Sequence, residues 1–75
     1  MRSEGWDTII LSDPDHEHLV AELHHDAQFL LLLDREDGRE AVCISFPNKD
    51  GHLRNRVPLS EFLERLRVAV VDLNQ

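Results

Sequence analysis

His16-Glu17-His18-Leu19-Val20-Ala21-Glu22-Leu23-His24-His25-Asp26 holds four of the five histidines of this 75-residue chain among three acids. Imidazoles and carboxylates at close spacing suit a zinc site, which needs four ligands converging with tetrahedral geometry. On a strand, His16, His18 and His24 share one side and His25 points away; on a helix, His18, Glu22 and His25 share a face. Neither arrangement reproduces the His-Glu-x-x-His pattern of zinc proteases, and Cys43 is the single cysteine, so no Cys pair completes a structural site. The expectation is a solvated polar edge with no metal and no cofactor. Flanked by Asp15, Glu17, Glu22 and Asp26, the histidines could also change charge in mildly acidic solution.

Nucleophilic chemistry is no better supported. A reactive thiol needs a base and exposure, whereas Cys43 lies between Val42 and Ile44 in a β-prone run and reads as a small buried or interface hydrophobe. Ser45 and Ser60 lack a nucleophile-elbow motif. Glu36-Asp37 reads as a solvated turn. Gly38 and Gly51 are isolated turn glycines, and no phosphate-binding loop is present. The chain is therefore expected not to be an enzyme.

The net charge of −7 is unevenly placed. Residues 1 to 37 carry ten acids against Arg2 and Arg35, about −8; residues 38 to 75 carry five acids and six Lys or Arg, about +1. Phosphate backbones are bound by neutralising cations, so the acidic half argues against nucleic acid, despite a basic patch at Lys49, His52, Arg54 and Arg56. An acidic surface suits solubility or a basic protein partner. The longest apolar run, Phe29 to Leu33, is five residues against the roughly 20 that cross a bilayer. With one cysteine and no apolar leader, a cytoplasmic location is expected.

The elements that would position these groups follow from periodicity. Trp6 to Leu11 reads as a strand ending at Ser12-Asp13-Pro14-Asp15, with Trp6 closing one end of the core. The histidine stretch is read as a second strand in preference to a helix capped by Ser12 or Asp13. Phe29 to Leu33 and Ala41 to Phe46 form a hairpin in which Asp37-Gly38 makes a two-residue turn, so that Leu33 faces Val42, Leu31 faces Ile44 and Phe29 faces Phe46. Residues 52 to 57 form a short extended piece. The segment from Leu59 onward is helical, with Ser60 as its cap. Leu59, Phe62, Leu63, Leu66, Ala69, Val70 and Leu73 share one helix face at about 100° per residue. The resulting fold class is α+β: a single domain spanning residues 1 to 75, built as an antiparallel meander of three to four strands with one amphipathic C-terminal helix packed on one face.

Parity decides which faces are apolar. A two-residue turn at Asp26-Ala27 would put Val20, Glu22 and His24 with Phe29 and Leu31. A three-residue loop would put Leu19, Ala21 and Leu23 there, the better core and the expected one, and would send Val20 to the face of Leu30 and Leu32. Because one helix covers one sheet face only, Leu30, Leu32 and Val20, together with Val68 and Val71 on the far side of the helix, are expected to form a partner interface. A twofold homodimer is the commonest closed solution. The functional expectation is thus a small, non-enzymatic protein-protein interaction module, homodimeric through the second sheet face. Two alternatives are an acidic inhibitor of immunity type that binds a basic toxin or nuclease, and a small metal-binding protein using the histidine hairpin.

Overall fold

The computed structural model describes residues 2–75, with side chains described from residue 4 onward. Six strands lie in sequence order in one antiparallel sheet: β1 (Arg2–Ser3), β2 (Trp6–Leu11), β3 (Val20–His25), β4 (Gln28–Asp34), β5 (Cys43–Pro47) and β6 (Leu53–Pro58). Helix α1 (Leu59–Leu73) follows directly. The architecture is α+β as expected, but six strands replace the three or four predicted. Two short additions account for the difference. Glu4-Gly5, both at positive φ, turn the chain so that Ser3 pairs with Trp6; residues 53 to 58 pair along β5 rather than standing as a loose extended piece.

The β3–β4 hairpin resolves the parity question in an unforeseen way. Asp26 and Ala27 form a two-residue turn with φ of 50° and 69°, closed by His25 opposite Gln28, and His24 then faces Phe29. A bulge follows, so that Leu23 faces Leu31 and Ala21 faces Leu33. The extra residue is Leu30. A short turn combined with a one-residue bulge thus delivers the apolar pairing expected from a three-residue loop. At the turn, the Asp26 amide donates to the Gly5 carbonyl at 2.8 Å, and a Cβ at Gly5 would run into the Asp26 carboxylate. The φ of 87° at Gly5 favours glycine where the two turns meet.

Registers and strand alternation define two faces. The front carries Leu11, Val20, Glu22, His24, Phe29, Leu32, Asp34, Cys43, Ser45 and Arg56; the back carries Ile10, Ala21, Leu23, Leu31, Leu33, Ile44 and Val57. The fully buried apolar side chains are Val20, Leu32, Cys43 and Ile44. At β4–β5 the predicted tight Asp37-Gly38 turn is corrected. Leu33 faces Ile44 and Asp34 faces Cys43, two residues out of the expected register, and residues 35 to 42 form a wider loop of two successive turns. The shift preserves which face each side chain occupies. Its cause is electrostatic: Asp34 and Asp37 are both held by Arg56.

Helix α1 also departs from expectation. Pro58 is extended, the Leu59 amide donates to the Val42 carbonyl at 2.9 Å, and no side chain caps the helix, so Ser60 lies inside the first turn. Phe62 packs on Phe46 with ring centroids 5.1 Å apart. The helix touches β5 and β6 alone and has no buried residue. Instead of lying across the sheet it leaves most of the back face open. The Cα radius of gyration, 13.6 Å, compares with about 11 Å for a compact domain of this length. No helix among the described residues is long and apolar enough to cross a membrane.

A left-handed conformation at a residue bearing a Cβ costs roughly 1 to 2 kcal/mol. Ala27→Gly is expected to stabilise the fold by about 1 kcal/mol, measured as a raised urea midpoint at unchanged m-value.

Candidate functional site

The front face is organised by one buried carboxylate. Asp34 ends the apolar strand β4 in phase with Leu32, so the pleat directs it inward, and its side chain has no exposed surface. Arg56, two strands away on β6, reaches it with a fork: Nε to Oδ2 and Nη2 to Oδ1, both 2.9 Å. The same Nη2 donates to Asp37 Oδ2 at 3.0 Å. The Glu36 amide donates to Asp34 Oδ1 at 3.2 Å. These bonds, the Arg56 guanidinium foremost, hold the Asp34 carboxyl below the usual carboxylate range against the opposing effect of burial. The two acids in turn push the Arg56 guanidinium up.

The loop between β2 and β3 folds onto this centre. His16 Nδ1 bonds the Asp13 carboxylate, and its Nε2 lies 4.0 Å from Asp34 Oδ2. Glu36 accepts from the amides of Glu17 at 2.7 Å and His18 at 3.0 Å. Those amides draw the Glu36 carboxyl down. Loop 12–19 therefore lies against the front face, and an open groove of about 760 Å3 runs between it and β6. Asp13, Asp15 and Glu22 give the groove an acidic side, His52, Arg54 and Arg56 a basic side, and Phe29, Leu32 and Ser45 contribute to its lining.

The histidines disperse. His16 serves the Asp13–Asp34 cluster, His24 bonds Glu22 at 3.0 Å and stacks near Phe29, and His25 lies under Trp6 with ring centroids 4.4 Å apart. Among the described residues no group of three or more His, Cys, Asp or Glu side chains is placed to hold a metal ion. Cys43 is buried; its thiol donates weakly toward Asp37 and the Ala41 carbonyl, and burial pushes its pKa up. That is the opposite of the activation a nucleophilic thiolate requires. Trp6 is half exposed at the start of β2 rather than inside a core.

The predicted interface residues separate. Val20 and Leu32 are buried within the single chain, in the protomer's own packing. Leu30 is partly exposed at the bulge, Val68 is half-buried, and Val71 is exposed on the flank of α1. The open apolar surface lies elsewhere: the back-face hollow of Ile10, Leu19, Ala21, Leu33 and Val42, and the α1 stripe of Leu63, Leu66 and Val70. Sequence reasoning did not single out Asp34, placed Arg56 only in a basic patch, and read Glu36 as a solvated turn acid. Asp34 was detectable as an acid two residues beyond Leu32 on an apolar strand.

Asp34 is ionised in the fold at a lower pH than in the unfolded chain, so its contribution is complete above the ordinary aspartate range and is lost as pH falls through the depressed value. Asp34→Asn is expected to cost about 2 kcal/mol at pH 7, since hydrogen bonds to charged groups contribute roughly 1.5 to 3 kcal/mol. Urea denaturation at pH 7 and pH 3 should show that the deficit of the variant shrinks in acid.

Comparison with protein-family models, with curated proteins and with solved structures gives no match.

Proposed function

We propose that this chain is a non-enzymatic protein-protein interaction module that works as a homodimer, with the α1 stripe and the open back face as the surfaces a partner covers. The observation that carries this reading is accessible area. A folded monomer of 8.7 kDa exposes about 4,700 Å2 by the usual scaling with mass, whereas this chain exposes 5994 Å2. The excess is larger than the roughly 800 Å2 per partner of a standard interface. Much of it is apolar, because α1 has no buried residue and Leu63, Leu66, Val70, Val71 and Leu73 are all exposed.

Physical chemistry favours association for the same reason. Four buried apolar side chains among the described residues are few for a fold of this length, and small domains commonly complete their cores with a disulfide, a metal or a partner. The single cysteine excludes an internal disulfide. A twofold pair lets one set of apolar residues cover its own copy.

In light scattering at several hundred micromolar the wild-type chain is expected to run at twice its chain mass or more. The double substitution Leu66→Glu/Val70→Glu places charge on the α1 stripe and should weaken association through that stripe at least tenfold, while far-UV circular dichroism retains the strand signal. A wild-type monomer, or a double variant with unchanged association, would refute the reading.

A further inference from the structure

We infer that β2 is a self-pairing edge: Thr8 to Ser12 of two copies join antiparallel around a twofold axis at Ile10, making one continuous sheet across the pair. The inference rests on the self-association proposed above and adds a backbone contact at the end of the sheet away from α1, so chains that use both surfaces assemble beyond a pair.

The two edges of the sheet differ in how they are finished. On β6, Arg54 and Arg56 are exposed, Asn55 sits at a φ of 57° beside a bulge, and Pro58 removes a donor. Charge, bulge and proline are the devices that stop edge strands from pairing. On β2, among the described residues, β1 covers Trp6 and Asp7 only. Thr8-Ile9-Ile10-Leu11 continues with no charge, proline or bulge, Ile9 is 44% exposed and Ile10 is 60% exposed. Among the described residues this apolar, β-branched stretch has no strand on its outer side.

The direction of the backbone groups follows from the turns. Ser3 and Trp6 close a two-residue turn, and such closing pairs exchange both of their hydrogen bonds. Trp6 therefore directs its N–H and C=O toward β1, and by alternation Thr8 and Ile10 direct theirs to the same open side. The second turn agrees independently: His25 closes onto Gln28, so Glu22 and His24 bond toward β2 and take up Ile9 and Asp7.

Register selects a second copy as the occupant. Opposed residues on antiparallel strands point to the same face, so a twofold axis normal to the sheet can pair only positions of equal parity. Centring on Ile9 would set Asp7, already paired with Arg2, against Leu11. Centring on Ile10 sets Ile10 against Ile10, Ile9 against Leu11 and Thr8 against Ser12. Every opposed pair then matches, apolar with apolar and hydroxyl with hydroxyl, a favourable set of cross-strand neighbours. Ile10 is also one of the outward-bonding residues, as the central pair requires. On the back face the join brings together the two hollows lined by Ile10 and Leu19.

Amide hydrogen exchange by NMR on the full chain, across a dilution series, tests this directly. The Thr8 and Ile10 amides are expected to be protected at several hundred micromolar and to lose protection on dilution, with Ile9 protected throughout by β3. Ile10→Lys opposes two like charges at the axis and should weaken self-association by about tenfold or more, with Ile9 protection retained as evidence of an intact sheet. The α1 variant Leu66→Glu/Val70→Glu should leave the concentration-dependent protection of Ile10 in place, which separates failure of this inference from failure of the α1 reading. An Ile10 amide that exchanges at the unprotected rate at every concentration would overturn the inference. So would undiminished association of Ile10→Lys, or protection of Ile10 that appears only with an unrelated extended peptide.

Discussion

The ion pair between Asp34 and Arg56 is the interaction on which the rest of this fold depends. It crosses β5 to join β4 to β6, fixes the β4–β5 register through Asp37, and lies beside the His16 that brings loop 12–19 onto the front face. A carboxylate with no exposed surface is tolerated only when its lone pairs are satisfied. Here the bidentate guanidinium and the Glu36 amide satisfy them. One face of a small sheet is thereby closed by charge and a loop rather than by a helix.

That solution has a consequence for the other face. Helix α1 leaves Pro58 without a turn that would carry it across the sheet, and it touches only β5 and β6. The back face and the helix stripe therefore remain uncovered together in the single chain. The proposed homodimer follows from this imbalance: a front partly covered by loop 12–19 and its polar contacts, a back that is apolar and open, and accessible area beyond what a monomer of this mass exposes. Cys43 is buried with its thiol pushed up, and His16, His24 and His25 serve three separate neighbourhoods.

Much of the architecture was legible in residue patterns. Trp6–Leu11 was bounded by its alternation and by Ser12-Asp13-Pro14, and the C-terminal helix by its apolar spacing. The choice of a strand for the histidine stretch holds for Val20–His25. What escaped depended on contacts distant in sequence. Asp37-Gly38 has the composition of a two-residue turn, yet Arg56, nineteen positions later, draws Asp37 away from that role. The bulge at Leu30 carries no local signature in a run of four leucines, where any register is equally apolar. Ser60 fails as a cap because the Val42 carbonyl takes the Leu59 amide and starts the helix earlier. Val20 and Leu32 have the periodicity of an outer face, and loop 12–19 lies against that face in the single chain.

The central claim, that this chain completes its fold by pairing with its own copy, is tested most directly by sedimentation equilibrium of the untagged protein between about 1 and 500 μM. The account predicts a mass rising with concentration from that of one chain to that of two or more. A mass of 8.7 kDa at every concentration would contradict it.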